Sequence, residues 1–220
     1  NTTFTSIDSI AFQDNAIFGS PASPLVIKTN NAPTLLTINS DTLNENASSG
    51  TVVGTFSTTD QNIGQTFTYS LVSGSGSTNN SLFSISGADL VANFSANFES
   101  KSSYAVRVKT TDSDGCFLEA PITVLVKDLN DAPTALLLNV TQIDENQFSN
   151  TTIGALSSTD PDANEVFTYS LVSGAGGSDN ASFNINGTNL RSSAIFDFET
   201  KSIYNVRLQV ADKFNNTFED

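Results

Sequence analysis

The sequence predicts an all-β protein of two tandem antiparallel β-sandwiches, the second lacking its seventh strand within the chain. Three observations predict it. First, the chain is written twice: FTYSLVSG stands at 67–74 and again at 167–174, and FESKSSYAVR at 98–107 returns as FETKSIYNVR at 198–207. At a constant offset of 100 and without gaps, residues 31–120 match residues 131–220 at 36 of 90 positions. Two homologous units therefore follow one another. Second, short runs alternate with a period of two. Thr51, Val53 and Thr55 alternate with Val52 and Gly54; Tyr104, Val106 and Val108 share a face, as do Ile122, Val124 and Val126. Such alternation marks half-buried strands. Third, clusters of Gly, Ser and Asn, such as SGSGSTNN at 73–80, separate the runs and supply turns. About seven strands in roughly 100 residues is the pattern of two stacked sheets, and no amphipathic helix is visible.

Taken in order, residues 1–30 form an N-terminal extension, 31–130 a first repeat and 131–220 a second, incomplete one. Residues 1–20 have no counterpart elsewhere in the chain. Residues 21–34, PASPLVIKTNNAPT, share Pro21, Leu25, Val26, Ala32, Pro33 and Thr34 with PITVLVKDLNDAPT at 121–134. The segment 121–127 reads as the seventh strand of the first repeat. The second repeat reaches Asp220, the equivalent of Ala120, so its seventh strand is expected to be missing and a sheet edge left open.

Composition narrows the function. The formal charge is 9 − 23 = −14 and the pI about 4.1, which argues against nucleic acid, whose phosphates need Lys and Arg. No apolar run is long enough for a transmembrane span. Charged residues are 15%, so the surface is mainly the 30 Ser, 26 Thr and 24 Asn rather than a disordered polyelectrolyte. The absence of His removes the usual general base, and the single Cys excludes a disulfide framework and a thiolate zinc site. A glycosidase would use paired acids, but no Trp offers a sugar platform, and the reading is not an enzyme. With no Met, residue 1 is not a translation start; the chain is processed or part of something longer. No signal peptide is visible, as expected if one was removed.

The acidic and Asn-bearing motifs resemble those of cadherin repeats, calcium-binding extracellular sandwiches of immunoglobulin-like fold. The resemblance covers residues 31–220. DLNDAP at 128–133 is similar to the family's linker; IDEN at 143–146 and LNEN at 43–46 to its Glu motif; FDFE at 196–199 and ANFE at 96–99 to its Leu-Asp-x-Glu motif; and TDPD at 159–162 and TDQN at 59–62 to its Asp-x-Asp motif. Asp112 and Asp212 match the Asp after the sixth strand. The resemblance implies calcium as cofactor, held at the junction between repeats by Glu45, Asn97, Glu99, Asp128, Asn130, Asp131, Asp160, Asp162 and Asp212. It implies a second, weaker junction between subunits, from Glu145, Asp197, Glu199, Asn30, Asp60 and Asp112. Asn97 replaces a carboxylate and weakens the first set; Lys28 and Asn31 replace acids at the second. Calcium takes six to eight hard oxygens, so the chemistry suits these residue types. Against it stands the plain alternative of acids in solvated turns.

Residues 21–28, with Leu25, Val26 and Ile27, are a candidate donor strand. In cis they run directly into the first repeat, and strands of roughly 20–27 Å separate that point from the open edge of the second. A neighbouring copy meets no such limit. Head-to-tail donation of this strand builds a homopolymer, an extracellular filament. Pro24 interrupts the strand, and a one-residue slip buries Leu25 and Ile27 in place of Ala22, Pro24 and Val26. The alternatives are a calcium-dependent adhesion segment of a longer surface or secreted protein, or an array fragment with arbitrary ends. Sequons at Asn1, Asn46, Asn79, Asn93, Asn139, Asn150, Asn180, Asn186 and Asn215 are candidates for covalent glycans on a secreted chain. Cys116 is expected to be a buried, inert thiol, with an intermolecular disulfide as the alternative.

Overall fold

The structure is a computed structural model that describes residues 29–220. The candidate donor strand 21–28, with Leu25, Val26 and Ile27, and the sequon at Asn1 lie outside the described residues. The first sandwich contains β1 (Leu35–Ile38), β2 (Thr42–Asn44), β3 (Thr51–Thr59), β4 (Phe67–Leu71), β5 (Phe83–Ser86), β6 (Asp89–Ala92), β7 (Ser103–Asp112) and β8 (Phe117–Lys127). They form two four-stranded sheets, β1-β3-β6-β5 and β2-β8-β7-β4. The period-two pattern of the two long strands sets which face is inward. Tyr104, Val106 and Val108 of β7 and Val124 and Val126 of β8 are buried against Leu36, Phe56, Phe83 and Leu90 of the facing sheet.

Two features depart from simple alternation. The pair β2–β8 is parallel, whereas β1 pairs antiparallel with β3. The first strand thus crosses from one sheet to the other near Ser40 and Asp41, closing one edge of the sandwich. In β3 the register against β6 shifts between Val52 and Gly54. This bulge buries Val53 and Gly54 together and turns Val52 out to 49% exposure. A Cβ at Gly54 would stand 2.1 Å from the Ser40 carbonyl oxygen, and one at Gly154 2.6 Å from that of Val140, so only glycine lets the two backbones approach.

The second sandwich contains β9 (Ala135–Leu138), β10 (Thr152–Thr159), β11 (Thr168–Leu171), β12 (Phe183–Asn186), β13 (Asn189–Ser192), β14 (Leu208–Ala211) and β15 (Thr217–Glu219). One sheet, β12-β13-β10-β9, repeats its counterpart; the other has only β11-β14-β15. The seventh strand is not wholly missing, as the sequence led us to expect: β15 begins it and pairs with β14 from Gln209↔Glu219 to Ala211↔Thr217. Among the described residues no counterparts of Pro121–Lys127 join this sheet. Without them β14 has four residues where β7 has ten, and 142–144 forms no strand where β2 does. An open groove of about 770 Å³ results, walled by Leu138, Ile143, Phe183, Leu190, Phe196 and Tyr204. The buried cluster shrinks to Leu136, Leu156, Leu190, Leu208 and Val210. Among the described residues the helices are single 3-10 turns at Asn80–Leu82 and Asn180–Ser182, and none is long and apolar enough to cross a membrane.

Candidate metal centre

The segment 128–134 joins β8 to β9, and side chains from four other segments converge on it. Glu45, just after β2, is 1% exposed. Its Oε2 accepts from the Phe98 N–H at 2.9 Å and its Oε1 from the Leu129 N–H at 2.5 Å. A buried carboxylate needs such donors, and these two tie the linker to the first sandwich. Asn46 takes φ +58° and donates its side-chain amide to Asp131 Oδ1 at 2.8 Å. From the other side, Asp162 Oδ2 accepts the Asp131 N–H at 2.7 Å, and Asp212 Oδ2 accepts from the Asn130 amide at 2.6 Å. Asp212 Oδ1 is held by the N–H groups of Phe214 and Asn216.

Carboxylate oxygens concentrate here. Those of Glu45, Glu99 and Asp131 lie within 4.8 Å of one another, as do those of Glu99, Asp128 and Asp162, so Glu99 belongs to both groups. Two further oxygens, Asn130 Oδ1 and Asp160 Oδ2, are buried without a hydrogen-bond partner. Acceptors left bare beside crowded carboxylates fit a hard cation with oxygen ligands; calcium takes such a set, and zinc, which favours nitrogen and sulfur, does not. The donor set therefore fits calcium.

The crowding shifts titration. Loss of hydration, then the charges of Asp162, Glu45 and Asp131, push the Asp128 carboxyl up. Burial pushes Asp160 up; a hydrogen bond from Asp162 opposes it, and the charges of Asp162, Glu165 and Asp212 add to it. At Asp212 burial acts upward too, but the Asn130 amide and the backbone N–H groups outweigh it and hold the carboxyl below its usual value. For Asp128 and Asp160 the folded form holds its proton more tightly than the unfolded one. A metal held by these carboxylates would bind fully above their raised values and more weakly as pH drops through them. The metal-free fold moves the opposite way, gaining stability over the same descent. Calcium titrations and metal-free melts at stepped pH check both signs; parallel trends would refute the assignment.

Of the residues expected at this junction, Glu45, Glu99, Asp128, Asn130, Asp131, Asp160, Asp162 and Asp212 come together around the linker. Asn97 does not join them: its Oδ1 accepts the Ser100 N–H at 2.6 Å and shapes its own turn. The second expected set stays in two halves. Asn30 donates to both oxygens of Asp112, at 3.2 and 3.1 Å, beside Asp60, whose Oδ2 is buried and bare. Glu145, Asp197 and Glu199 cluster separately, all exposed. By correspondence with 45, 97 and 99 they mark the opposite pole of the second sandwich. Cys116 is half-buried rather than buried, with Sγ 3.9 Å from the Asn30 carbonyl oxygen. The sequons at Asn46 and Asn180 have their amide nitrogens committed, the latter to the Val172 carbonyl at 2.7 Å. The sequence reading missed Asn46 and the Lys213–Glu165 pair beside the junction; the return of Glu-Asn at 145–146 was the available signal for the first.

No family model matches the sequence. The chain is 33% identical over 124 residues to Protocadherin Fat 2 of Rattus norvegicus, a match of 53% of this chain and 3% of that protein's length. The structure resembles human Protocadherin-24 EC1-2, with TM-score 0.62, 16% identity, and 86% of this chain and 94% of that one covered. It also resembles the extracellular cadherin domains 3-6 of Protocadherin Gamma B2, with TM-score 0.55, 20% identity, and 84% and 46% covered. The two sandwiches thus have the fold of tandem cadherin-like repeats.

Proposed function

We propose that this chain is a structural protomer of an extracellular filament, joined head to tail by strand donation and stiffened by calcium at the repeat junctions. The groove of the second sandwich is the observation that carries the reading. Its wall mixes apolar side chains such as Ile143, Phe196 and Tyr204 with polar ones such as Gln142, Glu145 and Lys201; it lies where Val124 and Val126 stand in the first sandwich, and residues 21–34 of the same chain share seven identities with 121–134. Strand addition of this kind gains main-chain hydrogen bonds from the groove edge and buries alternate side chains. At the central junction, Glu45, Glu99, Asp128, Asn130, Asp131, Asp160, Asp162 and Asp212 would hold the metal, which when bound offsets their mutual repulsion. The linker N–H groups already tied to Glu45 and Asp162 orient the two sandwiches for it. The match to Protocadherin Fat 2 supports a second reading, a calcium-dependent adhesion segment of a longer cadherin-like protein.

Negative-stain microscopy of the full chain with calcium separates them. Filaments are expected, lost when residues 1–28 are removed and blocked by a peptide of residues 21–30. Monomers under all conditions would sink the filament and leave the adhesion segment.

A further inference from the structure

Lys213 follows Asp212 in the turn between β14 and β15. Its ammonium pairs with Glu165 at 2.8 Å; the Glu165 side chain is 2% exposed and that of Lys213 41%. Of the four ion pairs among the described residues, this one alone touches the junction loops. Asp212, its neighbour in the chain, accepts through Oδ2 from the side-chain amide of the linker residue Asn130 at 2.6 Å, which sets Lys213 beside the junction.

The first sandwich makes the same loop-to-loop tie without an ion pair. There the two positions are Gln65 and Ser113, hydrogen-bonded to each other, and Gln65 also donates to Asp114 at 2.7 Å. A cation is therefore not needed to hold the loops together. The charge at 213 does something further, and it stands among the acids that the calcium reading assigns to the central junction. We infer that Lys213 is a resident counter-cation of that junction: it offsets part of the acid cluster when calcium is absent, opposes calcium when it arrives, and so raises the concentration at which the junction stiffens.

This inference rests on the calcium reading, and the test separates the two. Calcium chloride is titrated calorimetrically into the full chain, wild type and Lys213→Gln, and each is melted in chelator. With the ammonium gone, calcium is expected to bind about tenfold tighter at low salt. The chelated protein is expected to melt about 5 °C lower, because the acids lose their neutraliser. Raising the salt shrinks both effects. Lys213→Arg keeps the charge and should restore both. A lysine that merely props the loop would instead weaken calcium binding and stability together, and that result, or unchanged affinity, overturns the inference. No calcium heat in the wild type overturns the calcium reading itself and the inference with it.

Discussion

Glu45→Ala is expected to abolish calcium binding at the central junction and to destabilise the first sandwich by about 2–6 kcal/mol even in chelator. The chelator result is the informative one. Glu45 is almost wholly buried and accepts from two backbone donors, Phe98 and Leu129. Alanine leaves both N–H groups without partners, and each buried orphan costs about 1–3 kcal/mol. Glu145 is the control. It is exposed and accepts from Phe198 alone, at 3.0 Å, so Glu145→Ala should cost under about 1 kcal/mol. Denaturant unfolding of both variants in chelator decides the matter. Equal losses would mean that Glu45 serves only as a ligand and not as the tie between linker and sandwich.

The second large effect is a melt in two steps, with the second sandwich unfolding first. The first sandwich buries Val124 and Val126 and half-buries Ile122 from β8; among the described residues the second has no counterparts for them. Burying a side chain of this size is worth about 1.5–3 kcal/mol, so three of them make a deficit of about 4–9 kcal/mol. A synthetic peptide of residues 121–130 added to the full chain should raise the first transition and leave the second unmoved. Calorimetry that shows a single transition, or a peptide that shifts the other one, would mean that the groove is not the weak point.

Much of the fold was legible because the repeat is close and the long strands are regular. Tyr104, Val106 and Val108 point inward as their spacing requires. Thr51, Val53 and Thr55 misled, because the bulge at Val52–Gly54 resets the alternation, and a period of two cannot announce an extra residue. The parallel β2–β8 pair was equally hidden, since direction of pairing is a property of the crossing at Ser40–Asp41 and not of residue type. At the site, the residues that converge are those the cadherin resemblance implied, apart from Asn97, whose Oδ1 accepts the Ser100 N–H beside it. Lys213 was invisible because its partner, Glu165, is 48 residues away and has no charged counterpart in the first repeat.

The parallel pairing of β2 with β8 also decides how the first sandwich bears load. The chain enters through β1 and β2 and leaves through β8 into the linker. Tension applied along the chain therefore slides β2 and β8 past each other lengthwise. The ladder from Thr42↔Leu125 to Asn44↔Lys127 is strained all at once rather than unzipped one bond at a time. Glu45 extends that clamp by one turn, through its bond to Leu129. Among the described residues no strand runs beside 142–144, so there the second sandwich shows no such clamp. Pulled as a unit, the molecule should yield there at low force while the first sandwich holds.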